Sequence, residues 1–476
     1  MTSSKSFRAA SFASLFAALA LAGCGDDSTT GTEGTGGTAA GGTGGTGGAA
    51  TGGTGGTAGT GGGAATAQDI LSTDIALDIG ALTGKAVVVV QPASGTDTVS
   101  LEVKGLTLSK VEIGGSAADY QITDGVAAIQ VADSGKPVTV NVDYAFPARP
   151  KSGFDGWMPD SGVTFLWTRF CSNLFPCTSN PDDGAVFTMA VTGFDASLTA
   201  VFPKTTTGDA PSYMPAVAIG DFTKLDLGKT TAGTTISAWH LPGQEADAAA
   251  GTANLKAVFE LYEKTYGPYS FGAESGSVSA NWGPGAFGGM EHHPFVHVAK
   301  EDFASEEVHA HEAAHGWYGD GVRIACWEDF VLSEGTVTYM AAHALETVGG
   351  PNLWPEYVAS LDAICTGSDI NTVALPDTCN AIDLITDDLW SNVPYMKGAC
   401  FFEDVADLLG ADKLDESLSA FYKANVGGAK GMRDLIDEIE SKASADEKTK
   451  IKGFVNEWLL ATTCPENYAT RCGAHQ

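Results

Sequence analysis

Basic residues are scarce in this chain: 26 Lys and Arg stand against 58 Asp and Glu, giving a formal charge of −32. That balance argues against nucleic acid and anionic membrane surfaces as partners, because both are themselves negative. Apolar runs of membrane-spanning length are missing as well. The run from Ala9 to Leu21 is too short to cross a bilayer as a helix, and no later stretch approaches the required length. None of the nine cysteines stands in C-x-x-C spacing, which disfavours a zinc ribbon or a thioredoxin-like site and leaves structural disulfides. From Gly25 to about Ala65 the chain holds little besides Gly, Thr, Ala and Ser. Such a stretch cannot bury enough apolar surface to offset chain entropy, so it is expected to be a flexible tether.

Ahead of the tether, Lys5 and Arg8 precede the apolar run, which ends in Leu21-Ala22-Gly23-Cys24. This has the shape of a signal peptide, and the last four residues resemble a bacterial lipobox, in which the Cys is lipidated and becomes the mature N-terminus. The alternative is an ordinary signal peptide cut at small residues. The expectation is an exported protein, lipid-anchored in the bacterial cell envelope, that meets a membrane only through this anchor.

The remaining body changes texture once. Up to Phe222 the segments "KAVVVV", "VSLEVKGL", "AAIQVAD", "PVTVNVDYAF" and "VFTMAV" are short, β-branched and partly alternating, separated by Gly, Asp and Pro. They predict an antiparallel β-sheet domain. Beyond "LGKTTAGTT", stretches such as "AAAGTANLKAVFELYEKTYG" and "CFFEDVADLLG" take helical spacing. The fold class is therefore α+β, with a leader at 1–23, a tether at 24–66, a sheet domain at 67–222 and a mainly helical domain at 223–476. Setting Cys24 aside, eight Cys remain for pairing. Proximity along the chain suggests Cys171 with Cys177, Cys365 with Cys379 and Cys464 with Cys472, which leaves Cys326 with Cys400.

Chemistry concentrates in "HAHEAAHGWYGD", His309 to Asp320. On a helix His311 and His315 share one face, so both imidazoles can reach one ion, while Glu312 points about 100° round the helix, beside that ion. A surface helix with two His and a Glu is the alternative, since nine His make chance matches real. A catalytic zinc usually takes three protein ligands, and Glu334 in "CWEDFVLSEGTVTYM" offers the third. His309 projects to another face and is expected at the surface or behind the ligands.

H-E-x-x-H, 18 intervening residues and then Glu within L-x-E-G resembles the gluzincin metallopeptidases of the aminopeptidase N and leukotriene hydrolase family. "GGMEHH", Gly288 to His293, is similar to that family's G-x-M-E-N motif, and "SNVPYMKGA", Ser391 to Ala399, to the segment with its oxyanion-stabilising tyrosine. "LFPCTSNPDDGAVFTMAV" and "PSYMPAVAIGDF" resemble regions of its N-terminal β domain. The resemblance implies a thermolysin-like catalytic domain and one zinc ion held by His311, His315 and Glu334. It implies Glu312 as general base and Tyr395 as oxyanion donor. Gly288, Gly289, Met290 and Glu291 become the substrate-binding strand, with Glu291 on the substrate's α-amine. The expected function is a zinc metalloaminopeptidase acting on peptides as a monomer. The alternatives are a peptidase with relaxed exo specificity and a non-catalytic peptide-binding lipoprotein.

The departures concern amine recognition. His292 and His293 follow Glu291 where the family has Asn, Ser179-Asn180-Pro181 replaces D-E-P, and "TFLWTRFCSN" lacks the second amine-binding Gln or Glu. Only eleven residues follow Pro465, so the helical domain that roofs the site in most members is not expected, and the zinc is expected in an open groove.

Overall fold

A computed structural model describes residues 67–132, 135–283, 286, 288–367, 372–379 and 391–473. The leader at 1–23 and the tether at 24–66 lie outside the described residues.

The alternating β-branched segments of the first half form a six-stranded sheet in the order Val186–Thr192, Asp69–Asp78, Thr83–Gln91, Val138–Ala145, Thr107–Ile113, Ser116–Ala117. Val88, Val90, Val140 and Val142 all turn inward and are fully buried, which is what period-two alternation requires of a half-covered sheet. The pairings are antiparallel except one: Asp69–Asp78 runs parallel to Val186–Thr192, two strands far apart in sequence. Two smaller sheets complete this half, one of them ending in Val163–Phe165 and Gly156–Met158.

A separate five-stranded sheet begins at Thr223. Its order is Thr223–Lys229, Thr235–His240, Glu274–Ala280, Phe295–Ala299, Gly289–Met290. The three middle strands are parallel, and helices α1 (Glu245–Gly251) and α2 (Leu255–Thr265) make the crossover that parallel pairing needs. The helical spacing in the sequence marks these helices but not the sheet beneath them. Helices α3 (Glu306–Ala314), α4 (Phe330–Val348), α5 (Trp354–Thr366) and α6 (Asn392–Leu409) come next, followed by further helices to Arg471.

Helix α4 is buried on nearly every side from Phe330 to Leu345 and forms the centre of this half. It crosses α6 backbone to backbone. A Cβ on Gly398 would stand 2.6 Å from Gly335 Cα, closer than real carbon atoms come, so both positions must be glycine for the helices to meet there. The residues in question sit directly after Glu334 and one turn beyond Tyr395.

Arg323 fastens the two halves. Its guanidinium donates to the carbonyls of Asp182 and Asp209 in the first half and Gly427 in the second, at 3.2 to 3.3 Å. Gly184 gives it room: a Cβ there would overlap the guanidinium at 2.2 Å.

Of the expected disulfides, Cys171–Cys177 forms, while the other three pairings are corrected to Cys326–Cys379, Cys365–Cys464 and Cys400–Cys472. Proximity in sequence fails because the tail folds back along α6. Lys397 donates to the carbonyls of Ala461 and Thr463, and Arg471 pairs with Asp404, so Cys464 and Cys472 lie against the α5–α6 pair rather than against each other.

Candidate active site

Helix α3 starts where Ser305 caps it, its side chain accepting from Val308 N–H, and Glu306 and Glu307 complement the positive end of the helix dipole. His311 and Glu312 follow one turn later, and His315 stands immediately after the last helical residue. Across from them, α4 presents Glu334. Its Oε2 lies 3.1 Å from His311 Nε2 and 3.5 Å from His315 Nε2. The three donor atoms fall within 4.8 Å of one another.

The ring of His315 is held from behind. Its Nδ1–H donates to the Tyr318 carbonyl at 3.1 Å, with Ser333 Oγ at 3.3 Å, which fixes the ring orientation that points Nε2 toward Glu334. Gly319, at φ +102°, makes this possible, since a Cβ there would stand 2.7 Å from His315 Nδ1. Burial opposes charge on Glu334, but the charge of His315 and hydrogen bonds from both imidazoles outweigh it and hold the carboxyl at about 2. Burial likewise opposes charge on His315, yet Glu334 and Glu291 raise it to about 10. Two imidazole nitrogens and an ionised carboxylate converging on one point fit a zinc ion, which would displace the His315 proton from that negative field.

Glu312 is not in the donor triplet. Its carboxyl is buried and raised well above the ordinary value, by desolvation first and by the neighbouring carboxylates of Glu291 and Glu334, with His315 opposing. The strand Gly289–Met290 runs against it, so closely that a Cβ on Gly289 would come within 2.6 Å of Glu312 Oε1. Gly288, at φ +73°, turns the chain into this strand, and its N–H is fixed by Asp302 Oδ2 at 2.6 Å. One edge of the strand pairs with Phe295–Ala299, and it is the last strand of its sheet.

Glu291 follows the strand. It is 4% exposed and shares a cavity with His311, Glu312, His315, Glu334 and Tyr395. Burial above all raises its carboxyl to about 7, with His315 opposing. It receives hydrogen bonds from its own backbone N–H and from the Trp167 side chain. "TFLWTRFCSN" thus brings an aromatic donor to Glu291, where the resemblance implies an acid or Gln. Phe165 and Phe154 continue the same wall, their rings 5.6 Å apart, and Trp282 meets Phe165 edge-on at 5.4 Å. Nothing in sequence distinguishes such a wall from ordinary core aromatics.

Tyr395 reaches the cavity from α6, its ring stacked on His311 at 6.0 Å and set against the edge of Phe330. The Gly335–Gly398 crossing is what brings Tyr395 and Glu334 onto one side of the site.

Three histidines outside the donor set are packing residues. His309, expected at the surface or behind the ligands, is fully buried. It accepts from Ser277 Oγ–H at 2.7 Å and donates to the Phe303 carbonyl at 3.0 Å, so the surface alternative is overturned by the sheet under α3. His292 packs edge-on against His297 at 4.9 Å, and burial holds it uncharged. His293 bridges the Tyr269 hydroxyl and the Glu312 carbonyl, at 2.8 and 3.1 Å, and so ties the substrate-side loop to α3.

Comparison with known proteins adds to this geometry. Residues 290–458 match the model of the Peptidase family M1 domain. Leucine aminopeptidase 2 of Chaetomium globosum is 22% identical over 444 residues, covering 81% of this chain and 69% of that protein. The chain spans only 37% of the length of its Aspergillus terreus counterpart. Among solved structures, the M1 zinc metallopeptidase from Deinococcus radiodurans superposes with a TM-score of 0.70 at 18% identity, covering 83% of this chain and 95% of that one. Leukotriene A4 hydrolase from Saccharomyces cerevisiae gives 0.68 at 20% identity, covering 84% and 69%.

Proposed function

We propose that this chain, a gluzincin zinc metallopeptidase of the aminopeptidase N and leukotriene hydrolase type, removes single residues from the free N-termini of peptides. The observation that carries the reading is the convergence of His311, His315 and Glu334 in one cavity with Glu312 and Glu291.

Zinc held by those three side chains would polarise the scissile carbonyl and acidify the attacking water. The chain's own residues do the rest. Glu291 accepts the substrate ammonium and sets the distance from chain end to cleaved bond. The backbone of Gly289 and Met290 pairs with the extended substrate as an added strand. Phe154, Phe165 and Trp282 enclose the first side chain. Glu312 takes the water proton as the carbon–oxygen bond forms and delivers it to the leaving nitrogen as the carbon–nitrogen bond breaks, work for which a carboxyl raised toward neutrality is suited. The Tyr395 hydroxyl donates to the oxyanion.

The test is hydrolysis of leucyl-coumarin and of one ten-residue peptide in free and N-acetylated forms. Turnover of the free forms supports the reading, and zinc-loaded protein inert on all three refutes it. Cleavage of the acetylated peptide would favour relaxed exo specificity instead, a reading that the presence of Trp167 rather than a second acid beside Glu291 keeps alive. The same proposal includes export and a lipid anchor at Cys24, which Cys24→Ser would break by moving the protein from the membrane to the soluble fraction.

A further inference from the structure

The cavity that holds the metal donors has a second acidic end that the proposed mechanism does not use. Glu307 lies four residues before His311 on α3, so it stands on the same helix face, about 6 Å along the axis from His311 and about 12 Å from His315. Glu291 and Glu312 group with His315. Glu307 groups with Glu356 and Tyr357 of α5, and all three line the same cavity. Along α3 the order is therefore amine site, metal donors, Glu307.

A peptide with its ammonium on Glu291 and its first carbonyl at the donor triplet must send its leaving part toward Glu307. Burial first, and the charge of Glu356 next, raise the Glu307 carboxyl to about 7, while a hydrogen bond from the Tyr357 hydroxyl opposes them. Neither Glu307 nor Glu356 forms an ion pair among the described residues, although cation-bearing pairs are common elsewhere on the molecule. Two carboxylates drawn together without a cation between them are electrostatically costly, and a cation supplied by the substrate relieves that cost.

We infer that Glu307 and Glu356 are specificity-determining residues that select Lys or Arg directly after the cleaved bond. The distance is suitable. From a residue whose carbonyl neighbour sits at the donors, an extended Lys or Arg side chain spans the single helical turn to Glu307. Ala would leave the acids unpaired, and Glu would add a third like charge.

The inference rests on the aminopeptidase reading, and the experiment separates the two. Zinc-loaded full-length enzyme is given Leu-Xaa-Gly-Gly-Phe with Lys, Ala or Glu at Xaa, beside leucyl-coumarin, which carries no residue after the cut. The kcat/KM for Lys is expected to exceed that for Ala by about tenfold, and Ala to exceed Glu by a similar factor, most of it in KM, the scale of a partly buried charge pair at an interface. In Glu307→Gln/Glu356→Gln the Lys-to-Ala ratio should fall to about twofold or less, since the uncharged amides keep shape and lose charge. If that variant does not fold, Glu356→Gln alone changes an exposed position on α5 and should still reduce the ratio. A wild-type ratio near one, or a ratio that the substitutions leave intact, overturns the acidic subsite. Absence of leucyl-coumarin turnover would instead overturn the aminopeptidase reading beneath it.

Discussion

The two walls of the cavity are built differently. One is helical: α3, α4 and α6 present His311, Glu312, His315, Glu334 and Tyr395, each set by helix periodicity or by the glycine-to-glycine crossing of α4 and α6. The other is made of strands and loops from both halves and presents Trp167, Phe165, Phe154, Trp282 and the Gly288–Met290 edge. The metal donors sit on the first wall; shape, hydrogen-bonding edges and the Glu291 carboxyl sit on the second. Reaction type is expected from His311, Glu312, His315, Glu334 and Tyr395, and recognition of the residue before the cut from the strand-and-loop wall, so substitutions in these two sets should separate into kcat and KM effects.

The largest effect should come from the donor set. His311→Ala or Glu334→Ala is expected to leave metal below one-tenth occupancy by elemental analysis, with turnover lost alongside it. Full occupancy in either variant would remove that residue from the ligand set. Next comes Glu312→Gln, which takes away a base but no ligand. Metal content should stay normal while kcat falls by roughly a thousandfold, within the range for a general base. Loss of metal here would break the distinction between ligand and base on one helix.

Tyr395→Phe should lower kcat and kcat/KM together by about a hundredfold with KM little moved, the pattern of a contact made only in the transition state. A pure KM effect would transfer Tyr395 to the recognition wall and blur the comparison. Smaller still in rate, Gly398→Ala tests how the helical wall is held. Its Cβ would press on Gly335 Cα at 2.6 Å, so unfolding free energy should fall by about 1 to 3 kcal/mol, read from denaturant midpoints. An unchanged midpoint would mean that the helices part without cost. On the other wall, Phe165→Ala should raise KM for a leucyl substrate several-fold with kcat nearly constant.

The same division explains what the sequence discloses. His311, His315 and Glu334 follow from helix periodicity and ligand count, because four-residue spacing puts imidazoles on one face whatever the rest of the fold does. Glu312 follows from the same spacing. The aromatic wall was hidden, since Phe165 and Trp282 read as core until the chain is folded and a cavity stands beside them. Glu307 was equally silent: it looks like any acid at a helix start, and only the approach of α5 gives it Glu356 as a neighbour. The parallel sheet under α3 is hard to read from sequence because its strands are short and its central one, "ESGSVSA", carries Ser and Gly in place of a β-branched run. That sheet is also why His309 is buried. Chain proximity gives the Cys171–Cys177 disulfide but not the partners of Cys464 and Cys472, because distance along the chain carries no information about a tail that returns along α6.

Arg323 fixes how the cavity can move. Because one guanidinium holds carbonyls of Asp182, Asp209 and Gly427 at once, any hinge rotation between the halves at this point would strand a buried cation and several acceptors together. Opening of the cavity by a rotation that breaks these contacts therefore carries that cost. Adjustments that leave Arg323 paired, such as rotamer changes of single side chains at the cavity rim, carry no such cost and belong to a faster timescale than domain motion.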